Sequence, residues 1–183
     1  MREWVKLAAG TPVLIHAAMD EGFFTGMREG YDIPYYQVTQ DPMQAMTVEM
    51  IRGLAARHHA AGVDGLYLFN GGGTWTTYGY DKSKVLDEIS SPLRLRFKDK
   101  RYVVMRRNNS FPNCFPQERQ IPFAIGPEPT EVTIEVADDL SDAGERLLSV
   151  HLKLLLVDPC HEDRLEVRLN GGEPLLAANP MLA

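Results

Sequence analysis

The residues suited to chemistry fall in two places. Asp20-Glu21 stand just past an apolar run that begins at Val13, and Asn70 follows the run Leu66 to Phe69. A carboxyl group can donate a proton, activate water or attack an electrophilic carbon, and a carboxamide both donates and accepts hydrogen bonds. Aromatic residues crowd the stretches after both runs: Phe23, Phe24, Tyr31, Tyr35 and Tyr36 after the first, Trp75, Tyr78 and Tyr80 after the second. Their rings could face the apolar side of a ligand or pack among themselves. Plainer readings stand beside these, with Asp20-Glu21-Gly22 as a solvated turn and Asn70 as a polar cap on a strand.

Other signals are weaker. Gly71-Gly72-Gly73 offers backbone amides of the kind that hold phosphate, but bulky Thr74 to Tyr80 delays the next helix to about Asp81, where a phosphate site needs a helix N-terminus close by. His58-His59 are neighbours on a helix and cannot both face one metal, and Cys160-His161-Glu162-Asp163 lacks distant partners at ligand spacing. No metal and no cofactor are therefore expected, and neither G-x-S-x-G nor G-x-G-x-x-G is present. The two cysteines, Cys114 and Cys160, suggest no disulfide framework. A formal charge of −6 argues against nucleic acid and anionic membrane as partners. The basic residues from Arg94 to Arg101 and at Arg106-Arg107 alternate with apolar ones, as on a solvated face. No uninterrupted apolar run reaches the roughly 18 residues of a membrane span. Met1-Arg2-Glu3-Trp4 has no signal-peptide core, which reads as cytoplasmic unless a leader precedes it.

The elements that must position these groups follow from periodicity. Residues 2–9 read as an amphipathic helix stopped at Gly10, and Val13 to about Ala18 as a strand. Asp41-Pro42 supply an N-cap and first-turn proline for a helix whose apolar positions Met46, Met50, Ile51, Leu54 and Ala55 lead to a cap at Gly62. Asp64-Gly65 turn the chain into the strand Leu66 to Phe69, and a short helix covers Ser83 to Ile89. Alternation places Leu66, Leu68 and Asn70 on the inner face and Tyr67 and Phe69 against helices. His16 and Asp20 share a face while Glu21 shares the other with Ile15, which favours Asp20 as the site carboxylate if His16 lines the mouth. Beyond Pro92 the period becomes two, with strand candidates at Tyr102 to Met105, Val132 to Val136, Val150 to Val157 and Leu165 to Leu169, and a proline-rich linker over 106–130. Helices alternating with strands, then strands alone, predict α/β plus all-β architecture. The expected division is the C-terminal portion of a (β/α)₈ TIM barrel over 1–98 and a partial β-sandwich over 99–183. Two strands cannot close a barrel, so the chain is expected to be a piece of a longer one that lacks the N-terminal barrel portion.

The sequence Ala55 to Asn70 (Ala-Ala-Arg-His-His-Ala-Ala-Gly-Val-Asp-Gly-Leu-Tyr-Leu-Phe-Asn) resembles the last barrel strand of bacterial glycosyl hydrolase-like proteins, in which a TIM barrel precedes a β-sandwich. Leu86-Asp87-Glu88-Ile89, Leu93 and Lys98-Asp99-Lys100-Arg101-Tyr102 resemble the segment leading into their β domain. Asp163 to Gly171 is similar to a hairpin of galactose-binding-like jelly rolls, and by that resemblance the expected β-sandwich is jelly-roll-like. The resemblance implies carbohydrate as the partner and paired carboxylates as the chemistry. It makes the strand near Val13 the seventh, whose C-terminal end carries the nucleophile in retaining relatives, here Asp20 or Glu21. It makes His16, Asn70, Trp75 and Tyr78 sugar contacts. Two other readings remain open: a carbohydrate-binding protein without catalysis, and a phosphate-binding barrel enzyme.

Overall fold

The computed structural model describes residues 1–20, 47–69, 82–104, 124–154, 156 and 164–178, which divide into two compact units, 1–146 and 147–183. The first unit opens with helix α1, Arg2–Ala8. The Thr11 hydroxyl donates to the Ala8 carbonyl at 2.7 Å and accepts from the Val13 amide at 3.2 Å, turning the chain toward strand β1, His16–Asp20. Helix α2, Val48–Ala60, starts at Thr47, whose hydroxyl accepts from the Met50 amide at 3.3 Å and satisfies one of the first-turn donors. The expected cap at Asp41-Pro42 lies outside the described residues. At the other end Gly62, at φ 85°, donates to the His59 carbonyl at 2.9 Å, and Val63 donates to that of His58 at 3.5 Å. This pair of bonds is the Schellman closure, and it needs a left-handed residue at Gly62.

Strand β2, Gly65–Phe69, follows at once and pairs in parallel with β1, from His16 opposite Gly65 to Asp20 opposite Phe69. Parallel partners require a crossover between them, and α2 lies in it. The ladder begins at His16 rather than at Val13 for a local reason. The Ile15 amide donates to the Asp64 carboxylate at 2.8 Å, and the Asp64 amide donates to the Ile15 carbonyl at 2.8 Å. A side chain thus takes the place of the next rung, and the strand runs on to Asp20 instead of ending near Ala18.

Ala17 and Met19 are fully buried on one face of this sheet. That face packs with Met50, Ile51 and Ala55 of α2, Val85 and Ile89 of α3 (Lys82–Ile89) and Leu95 of α4 (Pro92–Leu95). Helix α4 starts at Ser91, whose hydroxyl accepts from the Leu93 amide, with Pro92 in its first turn. Leu66 and Leu68, opposite Ala17 and Met19 in the register, pack against the same cluster, whereas Tyr67 is 56% exposed. The alternation along β2 is therefore the reverse of the one expected. The large aliphatic side chains follow the face that the helices cover, and Tyr67, opposite Ala18, lies on the other.

Residues 98–104 cross α2 at close range. The Arg101 amide donates to the Glu49 carbonyl at 2.8 Å, and a Cβ built on Gly53 would come within 2.4 Å of the Arg101 carbonyl oxygen. Gly53→Ala gains up to about 1 kcal/mol of helix propensity. It also forces backbone against backbone, where no rotamer change relieves the clash, at a cost of roughly 1–3 kcal/mol. The clash wins, so Gly53→Ala is expected to lower the urea midpoint; an unchanged or higher midpoint would show that the crossing is looser than this geometry.

Charged side chains tie residues 124–146 into the first unit. Glu135 pairs with Arg2 and, at 3.7 Å, with Arg57. Asp142 holds the Arg96 guanidinium through Nε at 3.0 Å and Nη2 at 2.6 Å. Asp142 belongs to a one-turn helix, α5 (Leu140–Ala143), capped by Asp139, whose carboxylate accepts from the Ser141 amide at 2.9 Å. Residues 102–104, 132–136 and 150–154 form no strand, although Tyr102 to Met105, Val132 to Val136 and Val150 to Val157 were expected to be strands. An alternating pattern supplies a face, but a strand also needs a hydrogen-bonded neighbour, and residues 101–104 follow one that crosses a helix instead.

In the second unit strands β3, Leu165–Arg168, and β4, Pro174–Ala178, pair antiparallel. Asn170 and Gly171, at φ 50° and 70°, make the turn, and Gly172 donates to the Leu169 carbonyl at 2.9 Å. Positive φ at both central residues is the type I′ pattern that matches strand twist, and Asn-Gly is the pair that tolerates it best. The register slips between Val167 and Arg168, next to Pro174, which has no amide to donate. Among residues 147–154, 156 and 164–175 of this unit, none is buried.

Candidate functional site

The candidate site is the edge of the parallel sheet at which β1 and β2 both end. Asp20 is the last residue of β1 and stands opposite Phe69, the last of β2. Parallel pairing is what brings these ends together; in an antiparallel pair they would lie at opposite edges. Glu21, Asn70, Trp75 and Tyr78 lie outside the described residues, as do the other aromatics of the two connecting stretches.

His16 does not join Asp20. It opens the strand that Asp20 closes, and four residues of extended chain separate them by about 13 Å. Its exposed ring lies over Gly65, where a Cβ would come within 3.2 Å of Nδ1 and Cε1. The Asp64 carboxylate, bonded to the Ile15 amide, sets where the ladder begins.

Two charged constellations in the first unit escaped the sequence reading. Glu88 of α3, 5% exposed, accepts from Arg52 Nε of α2 at 2.8 Å through Oε2, and the same guanidinium donates to the Asp99 carbonyl at 3.4 Å. Lys98 Nζ stands 3.1 Å from Glu88 Oε1, near enough for an ion pair but off the line of a hydrogen bond. The Arg52 hydrogen bond, helped by Lys98 and opposed by burial, holds the Glu88 carboxyl below its usual range. In the other constellation Asp138 accepts from Lys100 Nζ and from the Tyr102 hydroxyl, both at 2.8 Å. Lys100 also donates to the Lys98 carbonyl at 3.2 Å, and its side chain is only 4% exposed. Burial, then the Asp138 hydrogen bond, pushes the Tyr102 phenol well above its ordinary range. These partners lie 36 to 38 residues apart in the chain, so no local spacing announces them. Each constellation clamps the 98–104 segment, to the helices in one case and to residues near 138 in the other.

The neighbouring histidines divide their work. His59 Nε2 donates to the Ile89 carbonyl at 2.9 Å and links the ends of α2 and α3. His58, half-buried, titrates at about 4, lowered first by burial and then by the charges of Arg57, the Met1 amino group and His59. Its folded pKa lies below its ordinary 6.5, so the unfolded chain takes up the proton more readily. Stability is full above 6.5 and falls as the pH is lowered toward 4. Solvent still reaches the ring, so the loss is on the order of 1–2 kcal/mol. Denaturant titrations from neutral pH down to about 4 should show this fall, and His58→Gln should flatten it; an equal slope in both proteins would assign the loss to other groups.

Among the described residues, no three of His, Cys, Asp and Glu gather to hold a metal ion, and no helix is long and apolar enough to cross a membrane. Comparisons with protein-family models, with characterised proteins and with solved structures find no match to this chain.

Proposed function

We propose that this chain is the C-terminal part of a glycoside hydrolase-like protein, a (β/α)₈ barrel followed by a β-sandwich, that acts on carbohydrate through paired carboxylates. The observation that carries the reading is the parallel register of β1 and β2 with α2 in the crossover, which sets Asp20 at the C-terminal edge of the sheet. That edge is where barrels of this type collect their reacting groups. Among the described residues this sheet has two parallel strands.

In this reading the Asp20 carboxylate attacks the anomeric carbon as the glycosidic bond breaks, and a second carboxyl group, outside this sequence, protonates the leaving oxygen. Water activated by that second group then releases the sugar from Asp20. Glu21 is the neighbouring candidate for the same role. Trp75 and Tyr78 are assigned to the apolar face of a pyranose ring, and Asn70 to a sugar hydroxyl by its place just past the end of β2 rather than by alternation. Trp75→Ala in the complete parent protein should weaken oligosaccharide binding by roughly 1–3 kcal/mol, the scale of one large apolar contact, with a smaller change in kcat. Calorimetric titration tests this, and unchanged affinity would remove Trp75 from the site. An acidic residue at the end of the fourth strand of the parent barrel favours hydrolysis. Its absence leaves a carbohydrate-binding protein on the same scaffold.

A further inference from the structure

We draw no further inference here: the strongest candidate, the uncovered apolar recess of the 147–183 unit lined by Leu152, Leu154, Val167 and Leu175, carries nothing because nothing in the structure shows what covers it.

Discussion

Asp20→Asn in the complete parent protein is expected to lower kcat on an activated aryl glycoside by several orders of magnitude and to leave substrate binding nearly intact, if Asp20 is the nucleophile as proposed. In the proposed reaction the carboxylate forms its bond to the anomeric carbon only as the reaction proceeds, so its removal would take away an interaction made in the transition state and not in the ground state. An amide of the same shape keeps the strand end unchanged but has no comparable nucleophilicity. Asp20 closes β1 within the paired register, so the substitution is not expected to disturb the sheet. Glu21→Gln serves as the comparison, because the two residues compete for one role. Full activity in both variants would reject a carboxylate role for this turn and leave the binding protein as the better reading.

Glu88→Ala is expected to cost about 3–5 kcal/mol of stability, the range for removing one member of a buried ion pair. The cost arises less from the attraction lost than from the charge left behind. The Arg52 side chain is only 15% exposed and cannot easily reach water, whereas Lys98, at 41%, can turn outward. A double variant, Arg52→Met with Glu88→Leu, should be much less destabilised than the sum of the single changes, because no unpaired charge remains. Denaturant unfolding of the four proteins gives the coupling directly, and additive losses would mean that the pair is solvated in solution. The pH dependence supplies a second sign. With its folded pKa held below the ordinary 4.5, Glu88 contributes stability that is complete above that value and is lost as the pH falls through the folded pKa. This acid loss should be absent in Glu88→Ala.

The parts of the fold legible in the sequence are those settled by neighbours in the chain. Gly62 closes α2 because left-handed φ at a helix end is a property of one residue and its preceding turn. Asn170-Gly171 closes the β3–β4 hairpin for the same kind of reason. The amphipathic pattern of residues 2–9 and 83–89 likewise produced α1 and α3 within a residue or two of the expected ends. Other features depend on distant partners. The first rung of β1 is decided by the Asp64 carboxylate, 49 residues away. The inner and outer faces of β2 exchange because α2 and α3 pack on the Leu66 and Leu68 side, which alternation alone does not specify. Residues 101–104 and 131–137 alternate as strands do, yet backbone contact with α2 and the Asp138 and Glu135 ion pairs hold them where no ladder forms. Of the proposed site, strand order in the sequence suggested Asp20, and the structure adds that its backbone closes β1 opposite Phe69. The depth of burial and the pairing that make Glu88 a structural anion and Lys100 a structural cation had no local signature.

Covalent labelling tests the proposed function most directly. A fluorinated glycoside with a good leaving group reacts with a retaining glycosidase and leaves the sugar ester-bound to the nucleophile, because the fluorine slows release of the intermediate more than its formation. Treated parent protein, digested with trypsin, should carry the sugar on the peptide spanning residues 7–28, with fragmentation placing it on Asp20. Labelling at a different carboxylate, or turnover of the unmodified glycoside with no ester on that peptide, would contradict the assignment of Asp20 as the nucleophile.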